Sequence, residues 1–368
     1  MPVAGIASVA GPTLARMTSR PRRTNSARIS GPAELLQAVP YLLGFHPSRS
    51  LVLVGLHEER LVVTARLDLT DAVLGGVPHA VGAMMRGGST SFVAIIYDDA
   101  DDDVDYEELD DEFGPSLAKW DVVYGALRVE LRRLDAHLRD ALVVSDDRWW
   151  SLTCKDFDCC PVEGRPLPDA PSSFTTAAMV EGVVALPSRA ALEEMFVPLP
   201  DSEREALDPA IADAERTAVQ QTIEGQASRW ERSIKRALFR AARESDEPGW
   251  SGLPDEAVAR FGAALAVTAL RDAVWLAVDN DRLDGRPFWR DLGRRLPSPY
   301  DAAPLFLYGW ASWRAGDGAL AGMAAERAVA SNPEYHAADL LLAALSSGAD
   351  PRQLPRLRLP RTQTARAS

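Results

Sequence analysis

The chain has no apolar run long enough to cross a bilayer. Its densest apolar stretches, residues 51–56 and 262–270, have the length of core elements, whereas a membrane-spanning helix needs about 20 residues. Residues 3–14 are mildly apolar, but the nearby arginines follow this stretch, which is the reverse of the order in a signal peptide. The sequence therefore predicts a cytoplasmic protein that is neither exported nor membrane-spanning.

Common catalytic motifs are missing as well. The patterns G-x-x-x-x-G-K-S/T, G-x-G-x-x-G, G-x-S-x-G and H-E-x-x-H do not occur. Their absence lowers the expectation of a nucleotide-dependent enzyme, but it does not exclude catalysis by residues that meet only in the folded chain. The sequence accordingly favours a non-catalytic protein.

Lysine is scarce, at Lys119, Lys155 and Lys235, and the negative charge is concentrated in one place. Eleven of the 15 positions from 98 to 112 are acidic, so the rest of the chain carries only −2 of the net charge of −13. The two ends, residues 1–27 and 350–368, are basic, and we expect both to be disordered. Such ends can contact phosphates, but they are commonly only solvated, and the sequence does not favour nucleic-acid binding.

The order of predicted elements in residues 28–200 indicates an α/β domain. A helix with proline in its first turn covers residues 32–44, and two β-branched runs at 50–56 and 61–69 form a predicted hairpin. The elements predicted after them are helix 71–86, strand 91–97, amphipathic helix 117–138, strand 141–145 and strand 148–152. This alternation predicts a mixed, partly parallel sheet with helices on both faces.

Strand signals stop near residue 201, and residues 201–349 are predicted to form an all-α domain. Near its end, the small residues Gly309, Ala321 and Ala328 and then Pro333 have the offsets of a tetratricopeptide repeat. Only one such unit is visible, and a solenoid needs about three repeats to bury a continuous core. We therefore expect a structural helical hairpin and not a peptide-binding array.

All three cysteines lie within seven residues, at Cys154, Cys159 and Cys160. A zinc site would combine these thiolates with a fourth ligand, either His46 or Asp158, although C-x4-C-C is not the spacing of the usual zinc ribbons. A redox or disulfide role is a second interpretation. Because the side chains of adjacent residues point apart, two neighbouring cysteines on one ion would strain the backbone. The favoured interpretation is therefore a buried structural thiol cluster.

A second candidate site is the turn Gly44-Phe45-His46-Pro47, which joins the first helix to the first strand. Turns at the end of a sheet often carry ligand groups in α/β proteins, so His46, Arg49 and Ser50 are candidate ligand-binding residues, with an anion as the expected ligand. The alternative is that His46 only completes hydrogen bonds to the backbone of the turn, and we favour that structural role.

Three segments together resemble the bacterial domain-of-unknown-function family 4192. They are GPAELLQAVPYLLGFHPSRSLVLVGL at residues 31–56, RWWSLTCKDFDCCPVEGRPL at 148–167 and the hairpin region 309–345. The first two are the more specific. The resemblance implies a cytoplasmic protein of high-G+C bacteria with the same two-part layout, and it implies no activity, ligand or mechanism.

Three functional hypotheses result. The favoured one is a non-catalytic binding or regulatory protein, whose α/β domain recognises a small ligand or a protein partner and whose helical domain mediates association. The second is a thiol-dependent enzyme or redox protein, with Cys154 or Cys160 as the thiolate and His46 as the base. The third is a scaffold protein with a structural zinc site, zinc being the only cofactor that the residues suggest.

Overall fold

The computed structural model describes residues 29–71, 75–98 and 120–358. The leader 1–27 and most of the acidic run 98–112 lie outside these ranges. A six-stranded sheet with the order β2-β1-β3-β4-β5-β6 dominates the N-terminal half. Its strands are β1 (Ser50–His57), β2 (Arg60–Asp68), β3 (Ser91–Tyr97), β4 (His137–Ser145), β5 (Arg148–Ser151) and β6 (Arg165–Pro166).

The sheet is mixed, as predicted, but it is mostly antiparallel. β1 and β2 form the expected hairpin around the two-residue turn at positions 58 and 59, where Glu58 has a positive φ of 54°. β4 and β5 form a second hairpin around Asp146 and Asp147, which also have positive φ. One pair, β3 with β4, is parallel. A parallel pair needs a long crossover, and helix α4 (Asp121–Arg133) lies in that connection.

Helices cover both faces of this sheet. The first is α1 (Pro32–Leu43), and it shares a buried cluster on one face with the strands, including Leu36, Val39, Val52 and Ile95. The opposite face is covered by α3 (Val77–Arg86) and α4, in a cluster that includes Val81, Leu127, Leu53 and Phe92. All seven residues of β3 are buried, since both sides of this central strand are covered. That burial explains its continuous apolar sequence.

Two helix boundaries differ from the sequence prediction. The amphipathic helix ends at Arg133 and not at Leu138, because the chain turns at Asp135 (φ 53°) and Leu138 belongs to β4. Of the helix expected over 71–86, the structure describes α3 from Val77 onward and a three-residue turn of helix, α2 (Leu69–Asp71), before it, and residues 72–74 lie outside the described ranges. For the amphipathic helix, the apolar period of 3.6 residues continues in the sequence beyond the residue at which the backbone turns.

Helices dominate the C-terminal half and begin before residue 201. They are α5 (Ser173–Val180), α6 (Arg189–Glu194), α7 (Asp201–Glu205), α8 (Asp208–Ile223), α9 (Ala227–Glu244), α10 (Asp255–Ala266), α11 (Thr268–Asp279), α12 (Arg286–Arg295), α13 (Ala302–Ala315), α14 (Gly318–Ser331) and α15 (His336–Ser346). Their shared core is built around α13, in which every residue from Ala302 to Trp313 is buried. At Gly309 an added Cβ would lie 3.0 Å from the Leu341 side chain, so the small residue permits the close packing expected there. Classification of α13 and α14 as a tetratricopeptide-type hairpin remains a prediction.

No single helix in the described ranges is long and apolar enough to cross a membrane. The consecutive helices α10 and α11 reach that length and composition only together, and they are bent by 97° relative to each other. Apolar side chains of both, such as Val258 and Val274, are buried in the helical core.

The two halves are joined through the first turn after α1. Phe45 is 3% exposed and belongs to the core cluster of the helical half, although it lies early in the chain. The backbone of this turn pairs with Leu186 in both directions, since the His46 amide donates to the Leu186 carbonyl at 2.9 Å and the Leu186 amide donates to Gly44 at 2.8 Å. The α/β half is thereby anchored on the helices.

Part of the C-terminal segment that we expected to be disordered is packed on the helices. Residues 350–358 follow α15, and the Leu357 amide donates to the buried carboxylate of Asp279 at 2.6 Å. Arg314 donates to the same carboxylate at 2.7 Å and also to the backbone carbonyl of Pro351. This part of the tail is held by buried charges, and residues 359–368 lie outside the described ranges.

Candidate functional site

The cysteines lie in the connection between β5 and β6, in a compact turn that starts at Asp156. The Cys160 amide donates to the Asp156 carbonyl at 2.7 Å, which closes one helix-like turn. The Asp156 side chain accepts from the amide of Asp158 at 3.0 Å and also from that of Cys159. An aspartate that caps the amides two and three residues ahead favours such a turn.

This turn brings the Sγ atoms of Cys154, Cys159 and Cys160 within 4.8 Å of one another. Adjacent cysteines on one ion were expected to strain the backbone, whereas the curved turn brings the Sγ atoms of Cys159 and Cys160 into one group. Nor are the thiols a buried cluster: Cys159 is exposed, and Cys154 and Cys160 are only half-buried. The interpretation as core packing is therefore contradicted.

The loop is fixed to β5 by two side chains of that strand. Arg148 donates to the carbonyls of Glu163 and Gly164, and Trp150 donates from Nε1 to Val162 at 2.9 Å. Gly164 has a φ of +74° and lies directly on the indole, where a Cβ would come within 2.4 Å of the Trp150 ring. Only glycine fits both this backbone conformation and this contact.

A hydrogen-bond network around Asp140 holds the start of the loop in place. One carboxylate oxygen of Asp140, in β4, accepts from the Ser151 hydroxyl at 2.7 Å, the Thr153 hydroxyl at 2.5 Å and the Ala141 amide at 2.8 Å. Ser151 in turn accepts from the Cys154 amide at 3.1 Å. The position of the first cysteine is therefore fixed through hydrogen bonds to the central part of the sheet.

The three thiols line a cleft of about 430 Å³. The N-terminus of α1 forms another part of its wall, including Gly31 and Glu34, and Asp140 and Arg165 also line it. Arg165 is held in place by donating to the Cys159 carbonyl. The cleft thus combines thiols, two carboxylates, one guanidinium and a helix start, and its volume is that of a small-molecule site.

The thiols affect one another's protonation. A backbone hydrogen bond at Asp156, and then one from the Cys160 thiol, hold the pKa of Cys154 below its ordinary value. Desolvation, and then the neighbouring Cys154, raise the pKa of Cys160 to about 12. Cys154 is therefore the more readily ionised of the two thiols, and Cys160 is the one that holds its proton more tightly.

The other candidates lie elsewhere. His46 follows the C-terminus of α1, whereas the cysteines line the cleft at its N-terminus, and a helix of 12 residues is about 18 Å long. His46 and Arg49 are exposed, and Ser50 is fully buried at the start of β1, three strand positions away from β5. The structure therefore does not bring His46 to the thiols as a base or as a fourth ligand.

Asp158 is not brought to the thiols either. Among the described histidine, cysteine, aspartate and glutamate residues, the group whose ligand atoms lie mutually within 4.8 Å consists of the three cysteines. Several lining residues escaped the sequence analysis, namely Glu34, Asp140 and Arg165. Arg165, five residues after Cys160, could have been suspected from its proximity in the chain, whereas Glu34 and Asp140 reach the cleft only through the fold.

A comparison with protein-family models places most of the chain in one family. Residues 32–352 match the family described as Domain of unknown function (DUF4192). The chain belongs to this family. The match covers both the α/β half and the helical half. Neither a comparison with curated proteins nor one with solved structures gives a match.

Proposed function

We propose that this DUF4192 protein binds a divalent metal ion, in the first place Zn²⁺, through Cys154, Cys159 and Cys160, and that the metal presents an open position to the cleft for a small ligand. The observation that carries this proposal is the convergence of three Sγ atoms within 4.8 Å on the wall of a cleft. The protein would then be a binding or regulatory protein in which the cysteines, and not His46, form the binding site.

The distances suit zinc. A tetrahedral site with Zn–S bonds of about 2.3 Å places its sulfur atoms about 3.8 Å apart. The thiols need only a small contraction from their upper limit of 4.8 Å to reach that geometry. Desolvation, and then the neighbouring Cys154, raise the pKa of Cys160, so zinc binding at neutral pH would have to displace the proton of this thiol.

The number of ligands favours an open site over a closed structural one. Structural zinc sites have four protein ligands, whereas three protein ligands and a water or substrate are typical of sites that exchange a ligand. Within the described residues no fourth cysteine, histidine or carboxylate joins the group. The fourth position would therefore be filled by water or by a ligand in the cleft.

A dithiol redox function is the second candidate, and the unequal pKa values of Cys154 and Cys160 favour it. A thiolate beside a thiol is the reactant pair for disulfide formation, in which two thiols lose two protons and two electrons to an external oxidant. His46 has no part in this version, since it lies at the opposite end of α1.

The test is zinc binding by the full chain, purified without a tag and fully reduced. Native mass spectrometry should show one zinc per chain, and thiol titration should be suppressed until a chelator is added. Cys154→Ser or Cys159→Ser should weaken zinc binding by more than about 100-fold, because loss of a residue that only supports a metal ligand already weakens binding by about 10- to 100-fold. Asp158→Asn and His46→Ala are matched controls that should leave it unchanged.

Three freely titratable thiols and zinc binding no tighter than in the serine variants would refute the proposal. A Cys154–Cys160 disulfide that forms reversibly in a glutathione buffer, together with that result, would favour the redox candidate. Loss of zinc binding in Asp158→Asn would restore the fourth ligand suggested by the sequence and make the site a closed one.

A further inference from the structure

A second cleft of about 370 Å³ lies beside the cysteine loop and has a different character. Its walls come from the outer face of α4, the first residues of β4 and the chain after β5, and Thr153 lines both clefts. The basic side chains in it are Arg128, Arg132, His137 and Lys155. Among the residues that the structure describes, no carboxylate lines this cleft, whereas Glu34 and Asp140 line the first one.

Three of the carboxylates near these cations in the chain are engaged with other groups. Glu130 of α4 is bonded to Arg133 at 2.5 Å and 2.9 Å. Asp140 accepts three hydrogen bonds from its own surroundings, and Asp156 accepts from the amides of its turn. Among the described residues, none forms an ion pair with Arg128, Arg132 or Lys155. The positive charge of the cleft is therefore available to an anion.

Two features fix the shape of this positive surface. Arg128 and Arg132 are four residues apart on α4, so they project from the same side of the helix. The guanidinium of Arg128 lies over the ring of Tyr124, with its central carbon 5.3 Å from the ring centroid, which limits its orientations. Apolar side chains line the same cleft, namely Leu131, Leu138 and Leu152. The cleft offers cations together with an apolar wall.

We propose that this cleft binds a small organic phosphate, with Arg128, Arg132 and Lys155 holding the phosphate oxygens and the leucines contacting the carbon part. Paired guanidinium groups match phosphate geometry, and a lysine adds a compact charge. A cleft of 370 Å³ has the size of a small-molecule site.

The experiment is calorimetric titration of the full chain with pyrophosphate, ADP and citrate at about physiological salt, where unspecific attraction is largely screened. Pyrophosphate or ADP should bind more tightly than citrate. The double variant Arg128→Gln/Arg132→Gln should weaken that binding by at least about 100-fold, since each charge-assisted hydrogen bond to phosphate is worth about tenfold or more.

A matched control is available in the helical half. Arg232 and Arg236 are also exposed, also four residues apart and on helix α9, so Arg232→Gln/Arg236→Gln changes the net charge by the same amount. This control should leave phosphate binding within about threefold of the unchanged protein. Circular dichroism spectra and urea midpoints should be unaltered in both variants, because all four arginines are exposed.

Three results would overturn the proposal. Binding of pyrophosphate and ADP weaker than about 1 mM would leave no phosphate site. An equal loss in the control variant would reduce the effect to net charge. Tighter binding of a 12-nucleotide single-stranded DNA, with no binding of ADP, would make this a nucleic-acid surface. The same titrations on Cys159→Ser should be unchanged, so failure of the metal site and failure of this site can be told apart.

Discussion

Replacing Asp279 by asparagine should strongly destabilise the helical half. The Asp279 side chain is fully buried at the end of α11, and its oxygens accept from Trp310 at 2.9 Å, Arg314 at 2.7 Å and the Leu357 amide at 2.6 Å. The Arg314 side chain is only 4% exposed. Asparagine keeps the size and one acceptor, but it leaves a buried guanidinium without its counter-charge.

Breaking a buried pair in this way costs about 3 to 5 kcal/mol. With a urea dependence of about 2 kcal/mol per molar, the unfolding midpoint should fall by about 1.5 to 2.5 M. The assay is urea unfolding followed by circular dichroism at 222 nm, which reports mainly on the helices. The amide at position 357 loses a charged acceptor at the same time, so trypsin should cut the tail more rapidly.

Asp281→Asn is the matched control. Asp281 pairs with Arg356 in the same region, but its side chain is 61% exposed, and an exposed pair contributes no more than about 1 kcal/mol. Its midpoint should therefore shift by less than about 0.5 M. If Asp279→Asn and Asp281→Asn shift the midpoint equally, burial of the charge at position 279 is not what stabilises this region.

Two further predictions concern a glycine and a titrating carboxyl group. Gly164→Ala should displace the cysteine loop from Trp150 and weaken zinc binding, with little effect on the helices. Gly225→Ala is the matched control, because Gly225 has a φ of +71° but no atom within 4 Å of an added Cβ. This variant has the same backbone strain without the clash and should bind zinc normally. Burial, and then the neighbouring Asp284, raise the pKa of Asp246 to about 6, above its ordinary 3.8. The folded state therefore binds this proton more tightly, and the stability that it contributes is lost as the pH rises through 6. At pH values above 6, Asp246→Asn should have a higher urea midpoint than the unchanged protein, and below pH 3.8 this difference should disappear. A difference in midpoint that does not depend on pH would contradict the raised pKa of Asp246.

Five of the six strands could be predicted because their signals are local, whereas β6 and the mostly antiparallel pairing could not. The two hairpins have short turns between alternating or apolar runs, and β3 is an apolar segment with polar ends. Helix ends were harder to predict where one apolar pattern continued into the next element. Leu138 fits the helical period of α4 yet lies in β4, because the backbone reverses at Asp135.

The cysteines of the candidate site could be predicted from the sequence, but the residues around them could not. Clustering in the sequence identified Cys154, Cys159 and Cys160, and their convergence depends on a local turn that Asp156 caps. The choice of partners failed because it depends on topology. His46 lies beyond the far end of α1, and the cleft residue Asp140 reaches the loop through strand pairing that no local pattern specifies.

The burial of Phe45 in the helical core has a consequence for how the protein can be divided. A fragment that ends at residue 200 would retain the whole sheet, yet it would expose this aromatic ring and Phe196, which in the whole chain packs edge-on against Tyr308 at 5.0 Å. Such a fragment should aggregate or recruit the helical half added as a separate chain. The two halves are therefore better regarded as complementary pieces of one folding unit, which agrees with a family match that spans both.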